Sequence, residues 1–143
     1  MILRVDGDGC PDISVMEELA KQNGVQMAVY IDSSHVLTCD YAEVIILDTS
    51  SQSVDIKLVN SLAKGDIVVT QDYGVAVVAL AKGAKVVHPN GREYTDDTIM
   101  MMLTDKYVHQ KLRKQNIRVK GPKKRNHKNT ELLCQTLQIL FNS

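Results

Sequence analysis

Asp6 and Asp8 bracket a glycine in Asp6-Gly7-Asp8-Gly9-Cys10-Pro11, and Thr70-Gln71-Asp72 sets another acid two residues after a hydroxyl. Asp48 and Asp55 stand between these segments. Carboxylates that share a crevice repel one another, and a bound cation is the simplest remedy. Oxygen donors suit Mg²⁺ or Mn²⁺, which keep waters and substrate phosphates in their shells. An ion held this way can activate water and stabilise in-line displacement at phosphorus. A local role competes for each acid, since Asp is common in turns and helix caps, and Asp8 or Asp12 would cap a first helix. Gly7 and Gly9 let a ligand approach the backbone.

The elements around these acids fall into an alternating order. Ile2 to Val5 reads as a strand stopped by the Asp-Gly turn. Pro11 and Asp12 open a helix with Ile13, Met16, Leu19 and Ala20 on one face, closed at Asn23-Gly24. Val25 to Ile31 and Val44 to Leu47 are the next strands. A helix with Ile56, Val59, Leu62 and Ala63 follows, capped by Ser51 or Ser53. Ile67 to Thr70 is a fourth strand, Gly74 to Lys82 a small-residue helix, and Lys85 to Val87 a fifth strand. Thr95 or Asp96 caps a helix through Ile99, Met102 and Leu103, and a last helix over 130–141 carries Leu132, Leu133, Leu137 and Leu140. Continuous apolar strands alternating with helices predict an α/β fold with a mainly parallel five-stranded sheet covered on both faces. Ligands bind such sheets beyond the strands' carboxyl ends, where strand order reverses. Asp6, Asp8, Asp48 and Asp72 all follow strands directly.

Charge is divided along the chain. The totals are 17 basic and 17 acidic residues, a formal charge of zero. Residues 1–108 contain 8 basic and 16 acidic side chains, and residues 109–143 contain 9 and 1, so −8 is followed by +8. Such asymmetry points to an anionic partner. Lys120, Lys123, Lys124, Arg125 and Lys128 form the densest part, with Lys111, Arg113, Lys114 and Arg118 upstream. A solvated tail is the ordinary reading of such a block, and phosphate binding the functional one. Arg92 can meet a phosphate with its fork, or stand in a solvated loop. One Phe, five Tyr and no Trp give little for base stacking, so contact would be to phosphate. No apolar run is long enough to span a membrane, and no basic-then-apolar leader precedes Ile2. Three cysteines without a CxxC spacing read as free thiols in a reducing cytoplasm. Cys10 as a nucleophile would need a base such as His35 or His88. Met100, Met101 and Met102 read as helix filler.

The opening Val5-Asp6-Gly7-Asp8-Gly9-Cys10-Pro11 resembles the Asp-x-Asp-x-Cys-Pro start of the YaiI/YqxD family of small bacterial proteins. The resemblance runs on through Gly65-Asp66-Ile67-Val68-Val69-Thr70-Gln71-Asp72, Lys82-Gly83-Ala84, Asn90-Gly91-Arg92-Glu93-Tyr94-Thr95 and Gly121-Pro122. That family is similar to PIN-domain nucleases. The resemblance implies a single PIN-like α/β/α sandwich over 1–143, with a basic segment over 109–130. It implies Asp6 and Asp72 as ligands of Mg²⁺ or Mn²⁺, Asp8 and Asp55 as further ligands, and Thr70 as the residue that orients water. The implied activity is nucleic-acid cleavage, with RNA rather than DNA as the expected substrate. Two positions depart from the pattern: Gln52 stands where the family often has an acid, and the fifth strand exits into His88-Pro89-Asn90 without one. Two other readings fit the same residues. In a haloacid-dehalogenase-like phosphotransferase Asp6 would be the nucleophile and Asp8 the acid/base. A non-catalytic RNA-binding module would need only the fold and the basic tract.

Overall fold

A computed structural model describes residues 1–8, 10–34, 36–48, 53–117 and 124–143. Gly9, His35, Ser51, Gln52, Arg118, Lys120, Gly121, Pro122 and Lys123 lie outside the described residues. The order of elements is β1 (Ile2–Asp6), α1 (Ile13–Gln22), β2 (Gln26–Asp32), β3 (Glu43–Leu47), α2 (Ser53–Ser61), β4 (Ile67–Val69), α3 (Tyr73–Ala81), β5 (Lys85–Val87), β6 (Glu93–Tyr94), α4 (Asp96–Lys114) and α5 (His127–Phe141).

The strands form one sheet in the order β3-β2-β1-β4-β5-β6, parallel except for β6. The expected five-stranded, mainly parallel sheet is therefore present with one addition. β6 pairs antiparallel to β5 through Val86 with Tyr94 and Val87 with Glu93. Two residues are too few to show any period, so the Pro89-Asn90-Gly91 turn is legible in the sequence and the strand after it is not.

Side chains alternate across the sheet and build a core on each face. Leu3, Val5, Val29, Ile67, Val69 and Val87 pack with Met16 and Ala20 of α1 and Leu133, Leu137 and Leu140 of α5. Ala28, Tyr30, Val68, Val86 and Tyr94 pack on the other face with Leu58 of α2, Val75, Ala76 and Ala79 of α3 and Ile99 of α4. Strands buried on both sides are why their sequences are continuous apolar runs. The result is the three-layer α/β/α arrangement.

Helix ends differ from the expected ones for local reasons. Asp72 caps α3, accepting from the amides of Gly74 and Val75 at 2.7 and 3.3 Å. Thr95 and Thr98 form a reciprocal capping box at the start of α4. This helix continues to Lys114, well past Leu103, although nearly all of it beyond Leu103 is exposed. Good helix formers and three basic residues in the last turn sustain it without an apolar stripe. Helix α5 starts at His127 because Asn126 and Asn129 box its N-terminus, so Lys128 lies in its first turn.

Candidate functional site

The sheet order fixes where a site can form. The chain runs outward from β1 through β2 to β3, then returns by α2 to β4 on the other side of β1. Strand order thus reverses between β1 and β4, the place where the carboxyl ends of an open parallel sheet leave a crevice. Asp6 is the last residue of β1 and Thr70 the first after β4, with Val5 in register with Val69. That register brings the buried Thr70 hydroxyl 3.0 Å from Asp6 Oδ2, to which it donates. The same oxygen of Thr70 accepts from the Asp72 amide at 3.0 Å. A single hydroxyl therefore sets both acids, one directly and one through its backbone.

Asp6, Asp8, Asp55 and Asp72 line one cleft of about 440 Å³, together with Gln71, Tyr73 and Lys106. The four aspartates expected to act together are thus brought to one place. Among the described residues, no three His, Cys, Asp or Glu side chains are already gathered into a metal-ion geometry. Asp8 Oδ1 accepts from the Asp32 amide at 3.2 Å, which ties the β1–α1 loop to the end of β2. Asp48 is exposed and does not line the cleft.

Gly7 has a different reason from the expected one. A Cβ there would lie 2.6 Å from Ile31 Cγ2 and 2.8 Å from Val29 Cγ1. Its own amide donates to Tyr30 O at 2.8 Å. The missing side chain lets the loop lie against β2, and the space it leaves is filled by Ile31 and Val29.

Burial and repulsion act together on the acids. Asp6 is pushed up from 3.8 to about 6, chiefly by burial, with Asp55, Asp8 and Asp72 adding and the Thr70 hydrogen bond opposing. Burial raises Asp55 as well, and the carboxylates of Asp72 and Asp8 raise it further. Two displaced carboxyls facing a cleft mark a place where charge awaits a partner.

The remaining candidates separate clearly. Burial and the nearby Asp6 push the Cys10 thiol up to about 12, which favours the protonated form and argues against a nucleophilic role. His88 is held below its usual range, mainly by burial, and its Nδ1 accepts from the Asn90 amide at 3.0 Å. Arg92, Lys124 and Lys128 are exposed. Arg125 is already engaged: its guanidinium donates to Pro89 O at 2.7 Å and pairs with Asp12. Asp12 also accepts from the Thr130 hydroxyl at 2.7 Å. Asp12 occupies the residue before α1 but makes no side-chain cap there, because its carboxylate is spent on this strap to α5. Met100, Met101 and Met102 all lie in α4; the first two are 64% and 66% exposed, while Met102 is partly buried against the core.

Lys106 and Tyr73 are site residues that sequence reasoning missed. Lys106 comes from the part of α4 that has no apolar period, so nothing in the pattern marks it. Tyr73 adjoins Asp72, and only that adjacency could have drawn attention to it. No helix among the described residues is long and apolar enough to cross a membrane.

The solved structure of Rae1 (YacP) from Bacillus subtilis is similar over 100% of both chains, with 16% identity and a TM-score of 0.47. A UPF0178 protein of Ruminiclostridium cellulolyticum is 44% identical over 141 residues, spanning 99% of this chain and 92% of that one. Others from Clostridium perfringens and Clostridium kluyveri are 39% and 36% identical over 141 and 143 residues, each spanning 99% of this chain and 95% and 94% of theirs. The family model described as "Uncharacterized BCR, YaiI/YqxD family" matches residues 4–143. With the Asp-Gly-Asp opening and the Thr70-Gln71-Asp72 segment now seen side by side at the β1/β4 crevice, the chain belongs to the YaiI/YqxD family.

Proposed function

We propose that this protein is a divalent-metal-dependent nuclease that cleaves RNA in preference to DNA. The observation that carries the reading is the convergence of Asp6, Asp8, Asp55 and Asp72 on one cleft at the strand-order reversal. The similarity of the YaiI/YqxD family to PIN-domain nucleases supports it. The donors fit Mg²⁺ or Mn²⁺ in kind, since all are hard oxygens. Their mutual repulsion, felt in the raised carboxyl of Asp6, is what a divalent cation would relieve. Asp6, Asp8, Asp55 and Asp72 would hold it. Such an ion, when bound, supplies charge neutralisation at the phosphodiester and a more acidic water.

The chain's own residues do the rest. Thr70 holds Asp6 through its hydroxyl and Asp72 through that residue's amide, so the two acids keep a fixed separation. The amides of Gly74 and Val75 hold Asp72 Oδ1 at the start of α3, and a side-chain hydrogen bond joins Asp72 to Asp55. Arg92, Lys124 and Lys128, with Lys120 and Lys123, would attract the phosphate backbone without regard to sequence. Arg125, tied to Asp12, contributes a fixed structural charge instead.

The test is Mn²⁺-dependent cleavage of RNA and of DNA of the same sequence by the pure protein, with and without chelator. Asp6→Asn and Asp72→Asn are expected to abolish cutting. Cleavage that survives both substitutions overturns the assignment. Turnover of small phosphate esters with a phosphate trapped on Asp6 would move it to a dehalogenase-like phosphotransferase.

A further inference from the structure

The cleft that faces a polyanion is itself anionic. Four carboxylates line it, and among the described lining residues Lys106 is the one cation. Two unrelated elements hold Lys106 there. Helix α4 carries it to the cleft mouth, and its ammonium lies 5.5 Å from the centroid of the Tyr73 ring, within reach of a cation–π attraction. Tyr73 is fixed in turn: its ring meets Tyr94 edge to face, with centroids 6.2 Å apart and planes at 88°. Tyr94 is 1% exposed in β6. A buried strand residue therefore seats a surface aromatic, and that aromatic seats the lysine. Tyr73 also directly follows Asp72, so the ammonium and the acids share one support.

Resting on the nuclease reading, we propose that Lys106 grips a non-bridging oxygen of the phosphodiester held in the cleft. Tyr73 is the positioning residue that keeps its ammonium aimed there. An ammonium is a point charge and reads phosphate without reading base or sugar. Lys106 therefore supports binding of RNA and DNA alike. It acts before any bond changes, so its contribution belongs to binding and leaves the chemical step as it is.

The test compares wild type with Lys106→Met, Lys106→Arg and Tyr73→Leu, and with Lys85→Met at the opposite end of the sheet as control. Cleavage of a short RNA is followed at low salt with Mn²⁺, and binding of the same labelled RNA to chelated protein is followed by anisotropy. Lys106→Met is expected to raise KM about tenfold, with kcat changed by less than about twofold, the loss of one charge-assisted contact. Its binding weakens by a similar factor, and the salt dependence of binding falls by about one phosphate contact. Lys106→Arg keeps the charge and recovers most of the affinity. Tyr73→Leu loses about threefold in KM, the scale of an exposed cation–π contact. Lys85→Met behaves as wild type. Lys106→Met that binds and cuts like wild type overturns the proposal and leaves the nuclease reading standing. A fall in kcat at constant KM also overturns it. Wild type that neither binds nor cuts the RNA removes both.

Discussion

Replacing Asp6 by Asn should make the metal-free protein more stable. The reason is the raised carboxyl. Moving an aspartate from 3.8 to about 6 makes its ionisation in the folded state harder by about 3 kcal/mol. Between those two values the folded chain binds more protons than the unfolded chain. Stability therefore falls as pH rises through that window, and the full penalty is present at neutral pH. Asparagine keeps the shape and can still accept from the Thr70 hydroxyl, but it carries no charge to bury or to repel Asp55, Asp8 and Asp72. The cleft is open to water, which screens part of the repulsion, so the net gain is about 2 kcal/mol at neutral pH. The gain should vanish below about pH 4, where Asp6 is protonated in the folded and the unfolded wild type alike. Urea denaturation of both proteins across this pH range, in chelator, measures it. Chelator matters because a bound divalent cation favours the ionised form and would reverse the sign. Equal or lower stability of Asp6→Asn at neutral pH would refute the reasoning, because Asp6 would then be at ease where it stands.

Three further outcomes follow from other contacts. Arg125→Met removes the pair with Asp12 and the bond to Pro89 O. It should cost about 1–3 kcal/mol by denaturation and speed amide exchange in the β1–α1 loop. Gly91→Ala forces a side chain onto a φ of +97° with its Cβ 2.6 Å from both Leu132 Cγ and Leu133 N, and unchanged denaturation would contradict it. Its cost should exceed about 2 kcal/mol, since α5 must move away. Cys10 should react far more slowly with iodoacetamide in the native protein than in denaturant, and equal rates would show a free thiolate.

Much of this frame was legible in the residues. Asp6 and Asp72 could be found because each ends an apolar run, and a parallel sheet puts such ends along one edge. Strand order was not legible, since no local pattern says that β4 returns beside β1. Register alone makes Thr70 the neighbour of Asp6. The functional reading of Arg125 rested on its place in a run of lysines. Its partner Asp12 lies near the other end of the chain, and no spacing rule spans that distance. Gly7 was read as room for a ligand because the residues that fill that room, Val29 and Ile31, belong to another strand. Lys106 was invisible for the opposite reason: a fully solvated stretch of helix has no period from which to infer what it faces.

The strap from Asp12 to Arg125 and Thr130 also sets an order of events. These two partners are made after every residue that lines the cleft, as are Leu133, Leu137 and Leu140, which pack in the same core as Leu3 and Val5 of β1. Before they are made, the loop that carries Asp8 is held to β2, by the Gly7 amide on Tyr30 O and the Asp32 amide on Asp8 Oδ1, but lacks its tie to α5. A chain stopped before Arg125 would hold every cleft aspartate yet lack this strap and the apolar cover from α5. The strap is thereby a brace for the β1–α1 loop built from residues that do not line the cleft.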